Sequence, residues 1–155
     1  MTLHFKPVTP ENFHSVIALT DTLSDVQKQC VASNLYSIAE ASLYPNNAYH
    51  RAIYDGETLV GFFMMFIPDA ISIAKGEDDF FLWRFMIGGA HQGKGYARQA
   101  LDQLRMFGRE KGFDTMLLSC TDRPDGPYPF YKHYGFVRNG KMYDDEVGMV
   151  IDLPF

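Results

Sequence analysis

The clearest chemical promise lies in Gln92-Gly93-Lys94-Gly95-Tyr96-Ala97, a glycine-rich stretch between a bulky apolar run and a strongly amphipathic one. If the first run is a strand and the second a helix, consecutive N–H groups at the helix start, aided by its dipole, receive phosphate oxygens. A side chain at position 93 or 95 would crowd an anion or exclude positive φ, and Ala97 is small enough to leave the first turn open. Three anion-binding patterns compete for these residues. Gly88-x-x-x-x-Gly93-Lys94 nearly matches a nucleoside-triphosphate loop, but the next position should be Ser or Thr to hold magnesium, and it is Gly95. A dinucleotide fingerprint needs a small residue three after Gly95, where Arg98 stands, and an acid after the next strand, where Ser119-Cys120 stand. Gln-x-x-Gly-x-Ala is what remains. The plain alternative is a tight turn that holds no ligand, with Lys94 a solvated lysine at a helix start.

No other constellation suggests a metal. His4, His14, His50, His91 and His133 are scattered without paired-ligand spacing, and Cys30 and Cys120 lie far apart without a Cys-x-x-Cys pattern. No metal is expected, and two isolated thiols suit a reducing, cytoplasmic setting. A formal charge of -5 argues against a general nucleic-acid binder, which needs a basic surface to displace counterions. The Met1 to Pro10 stretch has no cationic start followed by an apolar run, so nothing in it reads as an export signal. Leu59 to Ile67 is about half the roughly 20 residues that a membrane-crossing helix needs, so no membrane partner is expected.

The elements that must position the glycine turn alternate in type. With 155 residues, 46% hydrophobic and 15% aromatic, and no repeat or Pro/Ser-rich linker, the chain reads as one domain, 1–155, with ample core material. A short strand at Leu3 and Phe5 leads to Thr9-Pro10-Glu11, a helix-start pattern that predicts a helix to about Thr20. The spacing of Val26, Val31, Leu35, Ile38 and Ala39 predicts a second helix from about Ser24 to Ser42. Ala48 to Tyr54 and Thr58 to Ile67 read as a hairpin about Asp55-Gly56. After an acidic loop at Glu77-Asp78-Asp79, Phe80 to Ile87 is a central strand. Ala97, Ala100, Leu101, Leu104 and Phe107 form one face of the next helix, which Gly112 ends. A strand at Thr115 to Cys120, a short helix at Pro127 to Tyr134 and two strand-like pieces within Phe136 to Leu153 complete an α/β arrangement around a mostly antiparallel sheet.

In this setting the Gln-x-x-Gly-x-Ala motif matches the pyrophosphate-binding signature of the Gcn5-related (GNAT) N-acetyltransferases, and the resemblance extends along nearly the whole chain. Leu82 to Ile87, followed after four residues by Gln-Gly-Lys-Gly-Tyr, is similar to the bacterial spermidine/spermine and diamine N-acetyltransferase-like branch. So are Val31-Ala32-Ser33-Asn34-x-Tyr36-Ser37-Ile38-Ala39-Glu40-Ala41, Ala52-Ile53-Tyr54-Asp55, Val60-Gly61-Phe62 and Phe130-Tyr131-x-x-x-Gly135-Phe136. The resemblance implies the GNAT fold: six to seven strands, about four helices, and a fourth and fifth strand that splay apart.

It also implies acetyl-coenzyme A as co-substrate, a small-molecule amine as acceptor, with polyamines leading, and a homodimer as an assembly frequent among similar proteins. Phe85, Met86 and Ile87 would meet the pantetheine arm; Gln92, Gly93, Lys94, Gly95, Tyr96, Ala97 and Arg98 would hold the diphosphate. The N–H of Ile87 is the candidate for stabilising developing oxyanion charge, and Tyr131 is the candidate general acid. Packing is the alternative for Tyr131, since Tyr128 and Tyr134 flank it at helical spacing. Pro124 and Pro127 depart from the family's usual Asn and Ala. Glu40 and Tyr36 are candidate acceptor-binding residues, Glu40 being an attractive base although an exposed helical carboxylate is the commoner explanation. The acidic groups Glu77 to Asp79 and Asp144-Asp145-Glu146 could attract a polyamine or simply be solvated turns. A protein amine or drug-like amine, or a non-catalytic acyl-coenzyme A sensor, are the alternative functions.

Overall fold

The computed structural model describes residues 2–154; Met1 and Phe155, the two ends of the span read above as one domain, lie outside the described residues. Seven strands form one sheet: β1 (His4–Lys6), β2 (Ala48–Asp55), β3 (Thr58–Phe66), β4 (Phe81–Ile87), β5 (Thr115–Cys120), β6 (Val137–Tyr143) and β7 (Glu146–Asp152). Their order is β1-β2-β3-β4-β5-β7-β6, and every neighbouring pair is antiparallel except β4 and β5. The expected α/β class, with a mostly antiparallel sheet, is therefore present.

Among the described residues six α-helices accompany the sheet: α1 (Phe13–Ala18), α2 (Asp25–Cys30), α3 (Asn34–Ala41), α4 (Ala70–Ala74), α5 (Tyr96–Glu110) and α6 (Tyr128–Tyr134). About four were expected. One reason is that the helix predicted for 24–42 is two helices. Val31 is extended (φ -141, ψ 139), Ser24 starts α2 with a capping box to Gln27, and Ser33 caps α3 by accepting the Tyr36 N–H. Each cap satisfies N–H groups that a continuous helix would have used internally. The apolar spacing across the break came from two short faces in series. The other reason is α4, which follows from a capping box between Asp69 and Ser72 and was not anticipated. The first helix also starts later than Thr9-Pro10 suggests. Asn12 Oδ1 accepts the Thr9 N–H at 2.7 Å, forming a turn that delays the helix to Phe13.

Side chains alternate across the sheet, so β3 feeds two cores. Phe63 and Met65 join Leu101 and Leu104 of α5 and Tyr131 and Tyr134 of α6. Phe62 and Met64 face the other way, with Met86, Val16, Leu19 and Leu23. Coverage on both faces explains why β3 is almost continuously apolar. Leu101 and Leu104 are fully buried, and truncating either to Ala would cost roughly 2–5 kcal/mol. Helix α5 is thereby fixed on the sheet, with its N-terminus just past the end of β4.

Candidate active site

Strands β4 and β5 pair only at Phe81↔Leu117 and Leu82↔Leu118. Beyond them β4 follows β3 as far as Ile87, while β5 follows β7 to Cys120, so each outer partner draws its strand away from the other. The gap exposes backbone groups that a closed sheet would pair. Gly88 N–H donates to Val60 C=O at 2.8 Å across the β3 side. Antiparallel alternation then turns Met86 toward β3, and Phe85 and Ile87 toward the gap. A cavity of about 760 Å³ opens there, a volume suited to a small-molecule site. Residues 82–87, 118–120, 27–32 and 125–127 line it, with Gln92, Ala97, Phe130, Tyr131 and Glu146.

The glycine loop stands at one end of this cleft. Gly93 and Gly95 have φ of +76° and +86°, and Gly95 occupies the N-cap of α5 with no side chain capping the helix. The first intrahelical bond runs from Gln99 N–H to Gly95 C=O, leaving the N–H groups of Tyr96, Ala97 and Arg98 without helical acceptors. A Cβ at Gly93 would meet nothing within 4 Å, and residues 92–95 are exposed. The turn is thus an open concavity of donors, a shape and chemistry that fit a diphosphate. Gln92 contributes differently: its Nε2 donates to Ile87 C=O at 2.9 Å, and its amide pairs with that of Gln27. It braces the turn against β4 and α2. Tyr96 hydroxyl donates to Asp55 Oδ2 at 2.6 Å, tying the helix start to the β2–β3 hairpin, and Arg98 lies over the Tyr134 ring.

The three tyrosines of α6 separate by their hydroxyls. Tyr128 accepts from Arg138 Nε, and Tyr134 donates to Asp102 at 2.5 Å. Among the described residues Tyr131 has no hydrogen-bond partner for its hydroxyl, and its side chain lines the cleft beside Cys120. Burial pushes the Tyr131 phenol well above the ordinary tyrosine range, and Cys120 and Glu146 act in the same direction. The Cys120 thiol is pushed up to about 11, mainly by burial.

The acetyltransferase (GNAT) family model matches residues 17–136, most of the chain. The chain belongs to this family. It is accordingly an acetyl-coenzyme A-dependent N-acetyltransferase. No curated protein sequence matches the chain. Among solved structures, PaiA N-acetyltransferase of Thermoplasma acidophilum, in complex with coenzyme A, superposes with a TM-score of 0.71 at 14% identity, covering 98% of this chain and 99% of that one. An acetyltransferase from Thermus thermophilus gives 0.71 at 20% identity over 99% and 98%. The Salmonella typhimurium acetyltransferase that modifies the N-terminal serine of 50S ribosomal subunit protein L7/L12 gives 0.74 at 12% identity over 99% and 96%. At these identities the likeness shows a shared GNAT fold.

Within this GNAT cleft not every residue singled out in the sequence is brought together. Phe85, Met86, Ile87, Gln92, Ala97 and Tyr131 line it. Gly93, Lys94, Gly95, Tyr96 and Arg98 form the adjoining loop and first helical turn. Tyr36 and Glu40, on α3, do not line it: Tyr36 is 58% exposed, and Glu40 Oε1 accepts from Arg84 Nη2 at 2.8 Å. Arg84 does line the cleft, so Glu40 is joined to it only by way of that guanidinium.

Two features were only partly read from the sequence. Glu146, in the cleft, accepts from Ser119 Oγ at 2.8 Å. The second is the strap at residues 121–127, where Arg123 binds Asp125 and reaches Gln29 of α2 at 3.2 Å. A Cβ on Gly126 would lie 2.9 Å from Arg123 Cγ and 3.3 Å from Cys30 Sγ, so glycine there lets strap and helix approach closely. Pro127 ends the strap at the N-cap of α6. The Asp144-Asp145-Glu146 run was the available signal for Glu146, but only the hairpin register shows which of the three turns inward.

Proposed function

We propose that this chain transfers the acetyl group of acetyl-coenzyme A to a primary amine of a small polyamine or diamine, by direct attack in a ternary complex. The observation that carries the proposal is the continuity of one cleft from the open donors at the start of α5, through the β4–β5 gap, to the unbonded Tyr131 hydroxyl. The bound co-substrate supplies an activated thioester and a thiolate leaving group.

The chain's own residues take up the remaining tasks. N–H groups of 93–98 receive the diphosphate, and the gap-facing edge of Phe85 to Ile87 receives the extended arm. Ile87 N–H, held by the bond from Gln92 to its carbonyl, points where charge develops on the carbonyl oxygen. The acceptor attacks the thioester carbon as the free amine, its ammonium proton having passed to water. As the C–N bond forms and the C–S bond breaks, the nitrogen sheds a further proton to solvent. Tyr131 donates a hydrogen bond to the departing thiolate sulfur, which water then protonates. Because burial holds its phenol protonated, a strong hydrogen bond is a better description of that donation than complete proton transfer.

The acceptor's slimness is supported by the strap. Arg123 and Gln29 meet across the rim between α2 and the 121–127 segment and narrow the entrance. The resemblance of 31–41 and 82–96 to the spermidine/spermine branch points the same way, and two free thiols in the cleft suit the cytoplasm. A protein N-terminal amine is the second reading, since the Salmonella protein of the same fold takes one.

The test is thiol release from acetyl-coenzyme A with spermidine, spermine, putrescine and a serine-starting peptide, beside calorimetry of acetyl-coenzyme A binding. Turnover with the polyamines is expected. Turnover of the peptide alone would replace the acceptor, and no binding of acetyl-coenzyme A would end the proposal.

A further inference from the structure

Four charged side chains line the cleft: Lys28, Arg84, Asp125 and Glu146. Arg84 is paired with Glu40, and Asp125 with Arg123 at 2.5 Å. Lys28 belongs to the α2 wall and makes no ion pair among the described residues. Glu146 has no cationic partner among them either, and its side chain is held by the Ser119 hydroxyl. Glu146 is half-buried, so its carboxylate lines the cleft with no counter-charge of the protein's own and is open to one that a ligand brings.

The placement of Glu146 follows from the sheet. It opens β7 after the two-residue turn Asp144-Asp145, opposite Tyr143. Val147, Met149 and Ile151 point into the core under α5 and α6, so alternation sends Glu146 to the other face, beside Ser119 of β5. That face is where the splayed strands leave room. Ser119, which holds Glu146, adjoins Cys120, and all three line the same cleft as Tyr131, so the carboxylate stands toward the reacting end; its charge pushes the Tyr131 phenol and the Cys120 thiol up.

Resting on the transfer reading above, we propose that the Glu146 carboxylate, steadied by Ser119, is the dock for the acceptor's ammonium group, so the cleft selects amines that arrive as cations. Glu40, spent on Arg84, does not serve this purpose. A docked cation also offsets the field that Glu146 exerts on Tyr131, so the donor to sulfur is readied when the acceptor is in place.

The test compares wild type with Glu146→Gln, Glu146→Asp and Ser119→Ala. Trp83, the sole tryptophan, lines the cleft, so its fluorescence reads binding of coenzyme A and then of spermidine without turnover. Thiol release supplies KM for each substrate. In Glu146→Gln the spermidine KM and fluorescence midpoint rise about ten- to hundredfold, the weight of a hydrogen bond to a charged group. Coenzyme A affinity and the acetyl-coenzyme A KM stay as in wild type. Glu146→Asp recovers part of the loss, and Ser119→Ala, which keeps the charge but frees the carboxylate, raises the spermidine KM by only a few-fold.

Melting curves identify any variant that has lost its fold, and Ser119→Ala and Glu146→Asp keep the comparison decisive if Glu146→Gln does so. A spermidine midpoint and KM unchanged in all three variants overturn the dock and leave acetyl transfer standing. A wild type that binds no coenzyme A overturns the transfer reading, and the dock with it.

Discussion

At the residue scale, Tyr131 and Gly95 invite the sharpest tests. Because the Tyr131 hydroxyl has no hydrogen-bond partner among the described residues, Tyr131→Phe should leave the melting temperature nearly unchanged. It should also lower kcat about 100-fold, the usual weight of a positioned acid, with little change in KM. A kcat equal to wild type in the thiol-release assay removes Tyr131 from the chemistry. Tyr134→Phe behaves in the opposite manner: it breaks the bond to Asp102 and should cost stability more than rate. Gly95 has φ +86° in open surroundings, so Gly95→Ala meets backbone strain rather than collision. It should destabilise by about 1–2 kcal/mol and weaken acetyl-coenzyme A binding measured by calorimetry.

At the element scale, the break between α2 and α3 shapes the cleft wall, since Val31 and Ala32 line the cavity only because the chain is extended there. Ser33→Ala removes the cap of α3 and should cost about 1 kcal/mol in denaturant unfolding. The partly buried Arg84–Glu40 pair joins α3 to β4. Glu40→Ala leaves the Arg84 charge in the cleft without its partner, and a loss of about 1–3 kcal/mol is expected, between the exposed and fully buried cases. The same substitution should weaken spermidine binding through the freed positive charge, and an unchanged spermidine KM would count against that coupling.

At the scale of the whole molecule, three buried acids link stability to alkaline pH. Cys120 is raised from 9.0 to about 11, Tyr134 from 10.0 to about 12 by burial and by its bond to Asp102, and Tyr131 further still. In each, the unfolded chain releases its proton at lower pH than the native protein. Their contribution is therefore whole below about pH 9 and declines as pH climbs through the raised values. Melting temperature should fall between about pH 9 and about pH 11, and Cys120→Ala should flatten that slope. An equally steep slope in the variant would mean that Cys120 is not among its sources. Neither the charge of -5 nor the composition announces this, because it comes from which thiol and which phenols the packed core encloses.

Much of this was legible in the chain itself. Gln92 to Ala97 between an apolar run and the amphipathic 97–107 stretch determined the glycine turn and the open helix start, because a strand, a glycine turn and a helix start are local structures with local signals. The hairpin at Asp55-Gly56 and the strand at Thr115 to Cys120 were local in the same sense. Fold class followed from the alternation of such elements. The family resemblance implied that the fourth and fifth strands splay; only the tertiary structure decided that β4 and β5 part after two residue pairs, since that depends on β3 and β7 drawing them in different directions. It also decided that Glu40 is committed to Arg84, and that Glu146 rather than its two acidic neighbours turns into the cleft. A side chain's partner across 44 residues, or its face on a strand set by register, is a property of packing that no short stretch of sequence contains.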